Sequence, residues 1–125
     1  MGWILMLAAF LSGSEPTQLE QNKAACAKTD VERKKLDGSL RELLRRAQQD
    51  AGLTSRIKNA QQAWVKFKNA QLDALYGSAN PLGDYGSVWP MCSCAAEEEL
   101  IKARLVQVQR MLTFVEGDLC NWTRP

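Results

Sequence analysis

The sequence predicts an all-α protein: a small three-helix, up-down bundle, stapled by disulfides, with a long loop before its last helix. Three observations carry this. Apolar residues recur every three or four positions in three separate stretches, which is the helical period. Glycine and proline concentrate between the second and third stretches, and four cysteines stand at Cys26, Cys92, Cys94 and Cys120. At 125 residues, with 46% hydrophobic and 24% charged residues, the chain is the size and composition of one folded domain. A core that small gains from covalent staples.

The chain opens with the apolar run Trp3 to Leu11, followed by small residues. About 20 apolar residues are needed to span a bilayer, so residues 1–14 are read as a secretory signal with cleavage near Ser12-Gly13-Ser14. No Lys or Arg precedes the run, and an N-terminal core helix is the alternative. Residues 15–125 then form a single helical domain. Export to an oxidising compartment favours two disulfides among the four cysteines. A four-cysteine zinc site normally shows two CxxC pairs, whereas one C-x-C and two isolated cysteines occur here.

The first helix is predicted from Thr17, where Thr17 and Glu20 match a capping box after Pro16, to about Asp50. Leu36, Leu40, Leu43 and Ala47 make its apolar stripe. Asp37-Gly38 interrupts the pattern and Ser39 with Glu42 offers a second capping box, so a bend is expected there. Ala51-Gly52 supplies a stop, and Thr54 a cap for the second helix. That helix carries Leu53, Ile57, Ala60, Trp64, Phe67, Gln71 and Leu75 at steps of three and four, with Trp64 and Phe67 as core anchors. Short connections make consecutive helices antiparallel neighbours.

Residues 77–93, GSANPLGDYGSVWPMCS, hold three glycines and two prolines and are predicted to be irregular. A loop of that length in a compact domain is often functional. Asp84, Tyr85 and Trp89 lead as partner-binding residues. The competing reading pins the same aromatics onto the bundle. The third helix is expected from Ser93 to Val115 along Ile101, Leu105, Val108, Leu112 and Val115. Glu97, Glu98 and Glu99 fall in its first turns, where negative charge suits the helix dipole. The tail leaves the helix at Gly117, and Asn121-Trp122-Thr123 matches a glycosylation acceptor pattern.

Charge and composition restrict function. There is no histidine, which removes the commonest general acid/base and the usual catalytic triads and zinc sites, so an enzyme is not expected. Nor is a metal or cofactor. Residues 15–72 hold 12 Lys/Arg against 7 Asp/Glu, and residues 73–125 hold 4 against 7. The basic half favours an anionic partner, but its cations are interleaved with Glu32, Asp37 and Glu42, and no nucleic-acid footprint emerges.

Ala60, Gln61, Trp64, Phe67, Lys68, Asn69 and Ala70 spell A-Q-x-x-W-x-x-F-K-N-A. With an export signal, helices and cysteines around it, this block resembles the signature of the LprI-type lysozyme inhibitor family, small helical domains of the bacterial cell envelope. Leu36-Asp37 with Leu40 and Leu43 is similar to the family's upstream helix, and a cysteine followed by Leu100 and Arg104 to its closing helix. The similarity spans roughly residues 20–112. Leu72 stands where the family often has a cysteine, Cys26 stands without its usual companion, and Cys120 is an addition. The resemblance implies a periplasmic or secreted binding protein that blocks the lysozyme active-site cleft, without being an integral membrane protein. An envelope interaction module without that activity is the alternative.

The direction of the helices predicts the disulfides. In an up-down-up bundle the first and third helices run parallel, which places Cys26 and the Cys92–Cys94 pair at the same end. A Cys92–Cys94 bond would close a very small ring, so Cys26 is expected to bond Cys94. The remaining pair, Cys92–Cys120, requires the long loop to carry Cys92 along the bundle.

Overall fold

A computed structural model describes residues 14–113 and Cys120. Four helices occur among these: α1 (Gln18–Arg46), α2 (Ala51–Tyr76), the five-residue α3 (Pro81–Tyr85) and α4 (Trp89–Leu112). The signal segment apart from Ser14, and the Asn121-Trp122-Thr123 pattern, fall outside the described residues; α4 ends at Leu112, short of the expected Val115, because Thr113 is extended and caps it.

The predicted capping at Thr17 is present: its hydroxyl accepts from the Glu20 amide at 3.2 Å. α1 then runs unbroken through Asp37-Gly38. A Cβ built on Gly38 would meet nothing within 4 Å, so the glycine sits on an open side of the helix, where it weakens propensity without interrupting the ladder. The second capping box is not used. Glu42 instead pairs with Arg45 and Arg46 across one turn, and α1 ends at Arg46 rather than near Asp50.

Asp50 itself caps α2, its carboxylate accepting from the Leu53 amide at 2.9 Å. Thr54, expected as the cap, donates its hydroxyl back to the Ala47 carbonyl at 2.9 Å and closes the corner between α1 and α2. A carboxylate one residue before the helix satisfies a free amide of the first turn better than a hydroxyl inside it.

The segment expected to be irregular is largely helical. Asn80 caps α3, with Pro81 at its start, and Gly86 closes it at φ +76°, the left-handed conformation that glycine adopts without strain. α4 begins at Trp89, four residues before the expected Ser93, because Pro90 lies in the first turn, where no amide hydrogen is required.

α1 and α4 run parallel, joined by the Cys26–Cys94 disulfide, by the Thr29 hydroxyl donating to the Cys94 carbonyl at 2.7 Å, and by Arg46 donating to the Leu112 carbonyl at 2.8 Å. α2 returns antiparallel: Gln61 meets Arg104, whereas Lys68, further along α2, meets the earlier Glu97. This is the up-down-up bundle, with α3 as a short turn in its long connection.

The core consists of Leu36, Leu40 and Leu43 from α1 with Ala47 at its C-cap, Ile101, Leu105 and Val108 from α4, and Ile57 from α2. Trp64 is half-buried against it, but Phe67 and Leu75 are 55% and 46% exposed. The inward stripe of α2 is Ile57, Gln61, Trp64 and Lys68, one position away from the expected Ile57, Ala60, Trp64 and Phe67, which leaves Ala60, Asn69 and Ala70 on exposed faces.

Cys92 is a half-buried thiol, so the expected Cys92–Cys120 bond is not formed. Its position explains this. Cys92 lies in the first turn of α4, and Cys120 follows the far end of that helix. The 20 residues from Cys92 to Leu112 rise about 30 Å, whereas bridged cysteines need Cα atoms within about 7 Å. No helix among the described residues is long and apolar enough to cross a membrane.

The Glu42 arrangement gives a pH prediction. Hydrogen bonds from Arg45, then Arg46, lower its pKa to about 2 from an ordinary 4.5. A depressed carboxylate stabilises the fold fully above its unfolded value, and this contribution is lost as pH falls toward 2. Glu42→Gln is expected to flatten the dependence of melting temperature on pH between about 4.5 and 2, relative to the parent, in acid titrations followed by circular dichroism.

Candidate functional site

Two polar residues of the A-Q-x-x-W-x-x-F-K-N-A block, Gln61 and Lys68, turn inward where α1, α2 and α4 meet. Gln61 accepts through Oε1 from Arg104 Nε at 2.9 Å, and Arg104 Nη1 donates to Gln107 Oε1 at 3.0 Å. Burial depresses the Arg104 pKa, and the Gln61 carboxamide stabilises the half-buried guanidinium by accepting its hydrogen. Two turns further along, Lys68 Nζ lies 3.4 Å from Glu97 Oε1 and 5.8 Å from the centre of the Trp64 ring. Glu97 also accepts from Arg33 of α1, and this bond, ahead of any other influence, raises the Arg33 pKa.

Arg33, Asp37, Gln61, Trp64 and Lys68 border a small cavity of about 140 Å³, with Leu36 and Ile101 beneath. Two of the lining cations, Arg33 and Lys68, share the Glu97 carboxylate. That arrangement ties three helices together, and a carboxylate engaged by two cations is neither the free carboxylate nor half of the paired acid and base that general acid/base chemistry uses. Among the described residues no group of three His, Cys, Asp or Glu side chains is placed to hold a metal. The block's inner residues therefore hold the scaffold, and its outer residues, Phe67 above all, are surface.

Glu97 corrects the expectation that the acidic triplet serves the helix dipole. With α4 starting at Trp89, Glu97 to Glu99 sit in its third turn, beyond the reach of the terminus. Glu97 binds Arg33 and Lys68, and Glu98 pairs with Lys102 at 2.9 Å. Arg33 was missed by sequence reasoning, since its partner lies 64 residues away.

The second region is the connection from α2 to α4. Trp89 is half-buried and donates Nε1–H to the Tyr76 carbonyl at 3.2 Å, fastening the start of α4 to the end of α2. Tyr85 donates its hydroxyl to the Gly77 carbonyl at 3.3 Å and sets its ring edge-on to Tyr76 at 5.8 Å. Asn22 of α1 donates to the Ser87 carbonyl at 3.0 Å, and the Ser78 hydroxyl bonds the Asp84 carboxylate. Trp89 thus pins the loop, as the competing reading had it. Tyr85 does both: its hydroxyl is engaged, and the residue is 38% exposed beside Leu82 at 61%. Leu82 had no periodic signal in the sequence and was not singled out there.

A family model described as lysozyme inhibitor LprI matches residues 12–108. No curated protein and no solved structure matches the chain.

Proposed function

This chain belongs to the lysozyme inhibitor LprI family, and from that premise we propose that it is an exported envelope protein that binds lysozyme and occludes its active-site cleft. The observation that carries the choice of surface is the braced α3 turn. Leu82, Asp84 and Tyr85 are exposed on a segment held at both ends by hydrogen bonds to α1 and α2. A binding loop ordered before association avoids the entropy of ordering it afterwards. Lysozyme carries two catalytic carboxylates in a sugar-binding cleft. Residues 77–88 contain no Lys or Arg, so inhibition through this turn works by filling the cleft with aromatic and aliphatic surface rather than by ion-pairing those carboxylates. Asp84 offers the basic surface of common lysozymes a local acidic contact, while the chain as a whole, at +2, gains no long-range steering toward it.

The test is inhibition of several lysozyme types by the parent and by Leu82→Ser/Tyr85→Ser. Two buried interface anchors contribute about 2 kcal/mol each, so the double variant is expected to inhibit roughly 1,000-fold more weakly, with unchanged helical circular dichroism. Trp89 is left intact, because removing it would release the brace and confuse folding with binding. Undiminished inhibition by the variant would move the interface to the outer face of α2, where Phe67 is exposed. A parent that inhibits no lysozyme at micromolar concentration would leave the second reading, an envelope interaction module.

A further inference from the structure

We infer that the groove between α1 and α2 binds a medium-chain fatty carboxylate, at a site separate from the α3 turn. The groove encloses about 470 Å³, within the range of small-molecule sites. Its floor is apolar: Leu40 and Ile57, which belong to the core, with half-buried Leu44 and partly exposed Val65. One edge is cationic and polar. Lys58, Gln62 and Lys66 succeed one another at intervals of four along α2 and border the groove, so two ammonium groups flank a carboxamide along a single rim.

Neither lysine has an ion-pair partner among the described residues, whereas Lys68 on the inner face of the same helix is matched to Glu97. The groove also lies within the basic half of the chain. The ligand chemistry follows from these facts. A single anionic head satisfies the Lys58–Gln62–Lys66 edge, and an unbranched apolar tail covers Leu40, Leu44, Ile57 and Val65. From Ile57 to Val65 the helix rises about 12 Å, which suits a medium-length acyl chain. A protein partner would need about 800 Å² of its own surface buried, much more than a groove of this volume offers. The groove and the α3 turn are separated along α2 by the 10 residues from Lys66 to Tyr76, about 15 Å, so lysozyme binding and this site are tested independently.

The probe is dodecanoate, titrated below its micelle concentration into the full chain by calorimetry. Saturable binding of one equivalent at micromolar concentration is expected, weakened at least 10-fold in Lys58→Ala/Lys66→Ala and abolished in Val65→Asp. All three positions are exposed, and both variants should melt as the parent does. Dodecyltrimethylammonium, with the same tail and the opposite charge, should bind at least 10-fold more weakly. Equal binding of the two amphiphiles, or no saturable binding of dodecanoate up to 1 mM, would overturn the inference. So would a concentration-dependent dimer that Val65→Asp dissolves, which would place a second copy of this chain on the groove.

Discussion

Replacing Cys26 and Cys94 together by alanine is expected to lower the free energy of unfolding by about 4 kcal/mol, the loop-entropy contribution of a cross-link enclosing this much chain. The bond joins residues 68 apart. Against a total stability of roughly 5–15 kcal/mol for a domain, that is a large share. The loss should also be local. The buried apolar residues lie from Leu36 to Ala47 on α1 and from Ile101 to Val108 on α4, toward the C-terminal ends of both helices. At the other end the buried residue is Thr29, whose hydroxyl donates to the Cys94 carbonyl at 2.7 Å, with the Ala25 carbonyl 3.2 Å away. With little hydrophobic burial there, the disulfide holds the first turns of α1 and α4 together and with them the base of the α3 turn. Urea denaturation of the double variant should show the loss. Hydrogen exchange should show protection falling over residues 18–32 and 89–97 while residues 36–47 and 101–108 change less. A loss below 1 kcal/mol, or one spread evenly along the helices, would mean that packing rather than the cross-link holds that end.

The bundle was legible where local chemistry and periodicity agree. Thr17 with Glu20 marked the start of α1. The Leu36–Leu40–Leu43–Ala47 and Ile101–Leu105–Val108 stripes marked the two helices that share the core. Once helix direction was inferred, Cys26 and Cys94 fell at one end without any long-range information. The start of α4 was misread because Pro90 looks like a helix breaker in sequence, although a first-turn proline breaks no hydrogen bond. α2 was misread for a different reason. Ala60 and Phe67 fit the helical period as well as Gln61 and Lys68 do, and hydrophobicity favours the former. The latter face inward because long polar side chains can lay their aliphatic stems on apolar surface and because Arg104 and Glu97 wait on α4 as partners. Such a pairing across 29 or 43 residues leaves no local trace, and the same is true of Arg33 with Glu97. The loop aromatics stand out in the sequence, but only the fold separates Trp89, turned to the Tyr76 carbonyl, from Tyr85, which stays partly exposed.

Trp64→Ala is expected to cost about 2–3 kcal/mol, less than the 3–5 kcal/mol typical of a fully buried tryptophan, because the ring is half-buried rather than enclosed. Two effects add. The ring packs against the core from the α2 side, so its removal exposes part of Leu36 and Ile101, which form the floor beneath it. It also borders the cavity shared by Arg33, Asp37, Gln61 and Lys68, and Lys68 sits 5.8 Å from its centre. Water entering there would weaken both ion pairs of Glu97 by raising the local dielectric. Trp64→Phe keeps an aromatic wall with less area and should cost about 1 kcal/mol. If the polar group depends on that wall, Glu97→Gln should cost less in a Trp64→Ala background than in the parent, a coupling that a double-mutant cycle in urea would read directly. A Trp64→Ala variant that unfolds at the parent's midpoint yet no longer inhibits lysozyme would place the ring in the interface and overturn its assignment to the scaffold.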